Sequence, residues 1–331
     1  MLQVFKRNDI SAYIALLFVA FVCKIKYILK PGQFVADAHS FDGLFFRMSK
    51  LYSIYLQSPS LYIILSIGVQ IIFAVYLNSV VITQKLFQHK NHFTALSFIL
   101  ITSFFPQFNY LSSGFISNIF LFAAFGFLMK ISSTPQPRKW CFNIGALISI
   151  AVFFYFPAII FLPVFIAFVW LLRPFVVQEL LAGLLGFITP VYFIIAVLYL
   201  KGNMDGALAF ATAGNFHIVL PACLFRTIPV LIFIFVSVLL LIYSLYILNK
   251  NAYKNAIIIR KKWRLITVYL FFAVIAGIFS RTFPATYFLI ALTPFSILLS
   301  QSFNNRNEKL NIFTLFFLII SLLCVQWVFL K

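Results

Sequence analysis

Eleven charge-poor apolar runs, separated by polar or basic connections, divide this chain, and whatever it folds into has to keep nearly all of them out of water. They occupy 10–29, 61–83, 93–108, 116–129, 142–155, 157–172, 180–200, 227–248, 265–280, 284–300 and 310–330. A soluble domain is about 45–50% apolar and about 25% charged; here 63% of residues are hydrophobic and 9% charged. The pattern predicts an all-α, polytopic integral membrane protein with about eleven transmembrane helices, in a single membrane domain over 1–331. Several runs are shorter than the roughly 20 residues an upright crossing needs. The first, "ISAYIALLFVAFVC", is followed by Lys24 and Lys26 and lacks a small-residue cleavage site, so it reads as a retained helix.

Charge orders the runs. The net charge of +19 comes without a long basic arm, zinc-finger spacing or a recognition-helix motif, which argues against a nucleic-acid partner. Bases instead flank apolar runs, as the inside-positive bias requires. With the N-terminus cytoplasmic, sixteen of the 25 basic residues fall on the inner side and nine elsewhere. The pair 142–155 and 157–172 reads either as two helices or as one helix kinked at Pro157 and Pro163. Merging them would turn the "RKKWR" cluster, 260–264, outward, so the charge bias selects two. The connection 249–264 then reads as a basic surface segment beside anionic headgroups. The four cysteines, Cys23, Cys141, Cys223 and Cys324, show neither metal-ligand nor disulfide spacing and read as apolar filling. Nothing in the sequence calls for a cofactor or metal; the lone Asp37-Ala38-His39 is too little for a metal site.

This topology sorts the rare polar residues. The outer connection 30–60 carries Asp37, His39, Asp42, Arg47 and Lys50; the outer stretch 201–226 carries Asp205, His217 and Arg226; Arg281 closes the next outer turn. The stretch 105–115, "FPQFNYLSSGF", is placed outside too. Three of six acidic residues thus share one side with several bases. An outer cleft of this kind suits a phosphate-bearing lipid: guanidinium and ammonium groups of Arg47, Lys50, Arg226 and Arg281, with His39 and His217, hold phosphate oxygens. A carboxylate of Asp37, Asp42 or Asp205 would take a proton from an attacking hydroxyl. The same residues also fit a solvated amphipathic connector, a turn at Asp42-Gly43, and snorkelling of Arg281. The small-residue run "GALAFATAG" after Asp205 suits either a re-entrant segment or a surface loop. Tyr110, Tyr155 and Trp327 read as interface anchors. Glu179 with Arg173 reads as a cap or surface pair, and charge buried within helices reads as nearly absent.

The block 143–202, "NIGALISIAVFFYFPAIIFLPVFIAFVWLLRPFVVQELLAGLLGFITPVYFIIAVLYLKG", resembles the middle of lipid-linked-sugar glycosyltransferases with the C-type membrane fold. Short paired helices, an Arg-ended helix and a following proline-bearing helix carry the likeness. Asp37 stands where that superfamily commonly has its catalytic acid. The resemblance implies that Asp37 activates the acceptor, that Asp42 or Asp205 assists, and that a polyprenyl phosphate is the leaving group, at a bacterial inner membrane. "RPF" at 173–175 and "TPFSILLSQSF" at 293–303 are also similar to an uncharacterised family of integral membrane proteins from Bacteroidota. Three functions follow as expectations: polyprenyl-phosphate-dependent glycosyl transfer in envelope glycan assembly, a lipid or small-solute transporter or flippase, and a non-catalytic membrane subunit of an envelope machine. Membrane lipids are the one partner common to all three.

Overall fold

Apolar runs with few β-breaking interruptions and prolines near their starts should be helical, and every one of the eleven carries a helix. The computed structural model describes residues 2–6, 9–29, 58–131, 134, 136–172, 176–200, 202, 228–251, 256–278, 288–304 and 308–328. A short α1 (Leu2–Lys6) precedes α2 (Ile10–Leu29), α3 (Pro59–Thr83), α4 (Phe93–Thr102), α5 (Ser113–Ile131) and α6 (Pro137–Phe154). Then follow α7 (Phe161–Leu172), α8 (Val177–Leu200), α9 (Ile228–Asn251), α10 (Ile257–Ile278), α11 (Leu289–Ser300) and α12 (Glu308–Val328). No strand occurs among the described residues. Pro59 and Pro137 open α3 and α6, where a missing N–H leaves no helical bond unmade. Six described helices, α2, α3, α5, α8, α9 and α12, are long and apolar enough to cross a membrane, so the chain is a helical membrane protein.

Two helices are short, and they form the centre. At 1.5 Å per residue, α4 spans about 15 Å and α11 about 18 Å, against a hydrocarbon core of about 30 Å. Every residue of both is buried. They run antiparallel: Thr94 near the start of α4 meets Ser300 at the end of α11 at 3.3 Å, and the rings of Phe93 and Phe303 lie 6.0 Å apart. Helices α3, α5, α9, α10 and α12 pack around this pair. Farther out, α2, α8, α9 and α12 present Phe18, Phe193, Phe235 and Phe313 away from the protein, as lipid-facing helices do.

Contacts between helix ends fall into two sets. At one end, His92 N–H donates to the Phe5 carbonyl (2.9 Å), Lys6 pairs with Glu308 (2.5 Å), and Lys262 donates to Gln84 (2.8 Å). There also Lys261 donates to the Leu171 carbonyl at 3.2 Å. At the other end, Tyr27 reaches the Ser103 carbonyl, Lys26 the Gln326 carbonyl and Tyr155 the Ala276 carbonyl. Successive helices therefore alternate in direction. The pair 142–155 and 157–172 obeys the same rule: α6 reaches the Ala276 end of α10, and α7 returns to the Lys261 end. It is a hairpin, turned by extended Tyr155 and a 3-10 segment (Phe156–Ile160), not one kinked helix.

Several expectations change. The run 93–108 is not one helix. Its α-helix stops at Thr102, and Pro106, which has no N–H to donate, opens a 3-10 turn (Pro106–Asn109). The stretch 105–115 is not a surface connection; Phe105 and 108–115 are buried and Gln107 is half-buried, with Tyr110 only 3% exposed. Tyr110 and Tyr155 are core residues rather than interface anchors, because each side chain packs where non-helical backbone needs covering. Trp327's side chain lies outside the described set. The basic cluster 260–264 is not a loop but the first two turns of α10, with Trp263 buried against Phe87. Burial pushes the Lys262 ammonium below its usual lysine range.

Candidate functional site

Helix α2 buries Ala12, Leu16, Ala20, Lys24 and Tyr27, a single stripe at spacings of four, four, four and three. Lys24 therefore points inward as surely as the alanines do, and it is 1% exposed. On α3 the buried stripe Tyr62, Ser66, Gln70, Phe73 and Leu77 brings a second polar group to the same level. Lys24 Nζ donates to Gln70 Oε1 and, at 3.2 Å, to Thr102 Oγ1 at the end of α4. The amide of Gln70 has only one workable orientation. Its oxygen takes the ammonium while Nε2 donates to the Phe108 carbonyl at 2.6 Å. A flip would face N–H against ammonium.

That second bond shows what else the site holds. Between Thr102 and Ser113 the backbone leaves the α-helix, and in an apolar interior its carbonyls need donors. Five side chains of α2, α3 and α12 supply them. Tyr27 and Gln326 reach Ser103 O at 3.0 and 2.9 Å, Ser66 reaches Asn109 O, and Tyr62 reaches Leu111 O at 2.7 Å. Gln70 completes the set at Phe108. The result is a polar floor beneath one end of the bundle, with Lys24 buried in it, Lys26 on the Gln326 carbonyl at its edge, and no carboxylate beside it among the described residues. A lone buried ammonium costs several kcal/mol even when hydrogen-bonded. Lys24 makes two hydrogen bonds among the described residues, to Gln70 and Thr102.

The connection 30–57 leaves α2 just beyond Tyr27 and rejoins at Ser58, one turn before Tyr62, so both its ends emerge over this floor. Asp37, His39, Asp42, Arg47 and Lys50 belong to that connection and lie outside the described residues, as do Asp205, His217, Arg226 and Arg281. The structure thus describes none of the nine sequence-predicted residues and brings forward Lys24, Gln70 and Thr102 instead. The signal for Lys24 was present in the sequence: it continues a four-residue spacing of small and apolar residues.

Two more polar groups lie away from this floor. His92, at the opposite end, receives Asn78 Nδ2 on Nδ1 at 3.1 Å and packs edge-on against Tyr13; burial holds its imidazole below the usual histidine range. Glu179 is not a surface residue: it is 5% exposed, and its Oε2 has no hydrogen-bond partner among the described residues. Arg173, its expected companion, lies outside them. Cys23, Cys141 and Cys324 form no disulfide among the described residues, and Cys223 is outside them. No group of three His, Cys, Asp or Glu that could hold a metal ion occurs among the described residues.

Residues 43–330 match DUF6427, a family of unknown function. The chain belongs to that family. The match runs from Gly43, inside the first long connection, to Leu330 near the C-terminus, so it takes in Gln70, Thr102 and the carbonyl floor, whereas Lys24, Asp37, His39 and Asp42 precede it. No curated protein and no solved structure matches this DUF6427 chain.

Proposed function

We propose that this DUF6427 protein binds the phosphate of a polyprenyl-linked sugar over the Lys24 floor and transfers the sugar in envelope glycan assembly. The observation that carries it is Lys24: a buried lysine within α2, with no carboxylate beside it among the described residues, near the end of α2 from which the first long connection begins. In the transfer, an acceptor hydroxyl oxygen bonds to the anomeric carbon as the bond from that carbon to the phosphate oxygen breaks. The hydroxyl proton goes to Asp37, and the polyprenyl phosphate departs with the negative charge. Lys24 would steady that charge from below, with Arg47, Lys50, Arg226 and Arg281 closing on it from the connections above. Asp42, Asp205, His39 and His217 complete this outer set. With it go eleven crossings, a bundle of the C-type glycosyltransferase kind, a cytoplasmic N-terminus and a bacterial inner membrane, supported by the alternating helix ends and the basic residues gathered at the Lys6 end.

A transporter or flippase for the same lipid is the second reading, and a specific observation favours it. Half-length α4 and α11 lie wholly buried, and non-helical backbone 103–112 sits inside the bundle, a combination that transporters use to build binding sites. The test is surface-glycan display in a deletion strain complemented with wild type, Asp37→Asn or Lys24→Met. Transfer predicts that the deletion and Asp37→Asn both lose the glycan, and that Lys24→Met slows its appearance about 100-fold, the usual penalty for one charge-stabilising donor. Loss with Lys24→Met but wild-type display with Asp37→Asn selects transport, since no carboxylate chemistry is then needed. Unchanged display in the deletion removes both readings.

A further inference from the structure

Helices α6, α7 and α8 flank a shallow groove, open at its mouth and lined by Ile144, Ile148, Phe165, Ile166, Trp170 and Glu179. Its walls are apolar except for one group, the Glu179 carboxylate in the first turn of α8. Glu179 is more than nine-tenths buried, and Oε2 finds no donor among the described residues. The groove lies at the same end of the bundle as Leu171, whose carbonyl takes Lys261. Trp170 stands half-exposed at its rim, the posture of a ring at headgroup depth.

An apolar trough with one buried acceptor calls for an apolar occupant with one donor-rich cationic end. An anionic headgroup would meet the carboxylate with like charge. Exposed Arg138 lies one turn before Cys141, another lining residue, on the same face of α6. It offers a cation for a phosphate a few ångströms from the amine. We infer that the groove holds a phospholipid whose headgroup ends in a primary amine, the ammonium on Glu179 and an acyl chain along Ile144, Ile148 and Ile166. This site is independent of the Lys24 floor, being at the opposite end of the bundle.

The test is native mass spectrometry of the full chain released from nanodiscs made with phosphatidylethanolamine, phosphatidylcholine or phosphatidylglycerol. The expected result is one retained lipid with phosphatidylethanolamine and none with the other two, lost in Glu179→Gln and in Ile166→Trp, which fills the trough but keeps the carboxylate. Equal retention of phosphatidylcholine or phosphatidylglycerol by wild type, or retention of phosphatidylethanolamine by Glu179→Gln, overturns the inference. The wild-type comparison needs no variant to fold, so it decides the matter even if both substitutions fail to express.

Discussion

At the scale of single residues, the decisive quantity is the cost of keeping Lys24 charged where no carboxylate answers it among the described residues. Removing the ammonium and removing its acceptor should therefore have unlike effects. Lys24→Met abolishes the buried charge and leaves Gln70 with an unmet carbonyl oxygen, a loss of about 1–3 kcal/mol set against relief from desolvation of similar or larger size. Gln70→Leu leaves the ammonium with Thr102 alone among its described partners, and strands the Phe108 carbonyl. Breaking a buried charged contact from one side costs about 3–5 kcal/mol. The expected order of melting temperature in detergent is Lys24→Met near wild type, Gln70→Leu well below it, and Lys24→Met/Gln70→Leu above Gln70→Leu alone. A double variant whose loss is the plain sum of the two singles would mean that the contact carries no coupling. Such a cycle also separates stability from function, because Lys24→Met should keep the fold while slowing the appearance of the glycan.

Among elements, the closest approach lies between α6 and α8, and glycines make it. A Cβ at Gly145 would drive into the carbonyl oxygen of Gly183 and come within 2.8 Å of the Phe187 nitrogen. One at Gly186 would do the same to the Phe142 carbonyl, 2.8 Å from its carbon. Both obstacles are backbone, which cannot swing aside, so the helices would have to part. In lipid, where no hydrophobic force drives helices together, small residues that let backbones touch supply the association. Gly145→Ala and Gly186→Ala should each cost about 1–3 kcal/mol, read as a lowered melting temperature. Gly68→Ala in α3 meets nothing within 4 Å and should be neutral or slightly stabilising, as Ala is the better helix former. Equal losses at all three positions would show that helix propensity, not the crossing, sets the effect. Periodicity in the sequence reveals that α6 and α8 exist, and even the glycine positions, but not which glycine faces which helix. Partner choice comes from three-dimensional packing, and no single-helix pattern records it. The same limit explains 105–115: polar residues after an apolar run read as solvent-facing, yet the backbone carbonyls of Phe108, Asn109 and Leu111 meet donors brought in by Gln70, Ser66 and Tyr62 from another helix.

For the molecule as a whole, hydropathy carried the helical architecture, since lipid demands that backbone groups be satisfied within helices. Half-length α4 and α11 escaped, because a fully buried short helix is as apolar as a spanning one. Asp37 and its fellow candidates are legible only as types and spacings. The alternation of ends makes a prediction that needs no knowledge of function. Lys139, at the start of α6, and Lys261, in α10, are exposed or half-exposed at one end, whereas Ser60, at the start of α3, is exposed at the other. With native cysteines replaced, Lys139→Cys and Lys261→Cys should react with an impermeant maleimide from the same side of sealed vesicles, and Ser60→Cys only from the opposite side. The strain falls on the 142–172 hairpin. If α6 and α7 were one continuous span, Lys139 and Lys261 would label from opposite sides, and every helix after α6 would be inverted. Same-side labelling of both requires the chain to turn back at Tyr155, where its hydroxyl holds the Ala276 carbonyl.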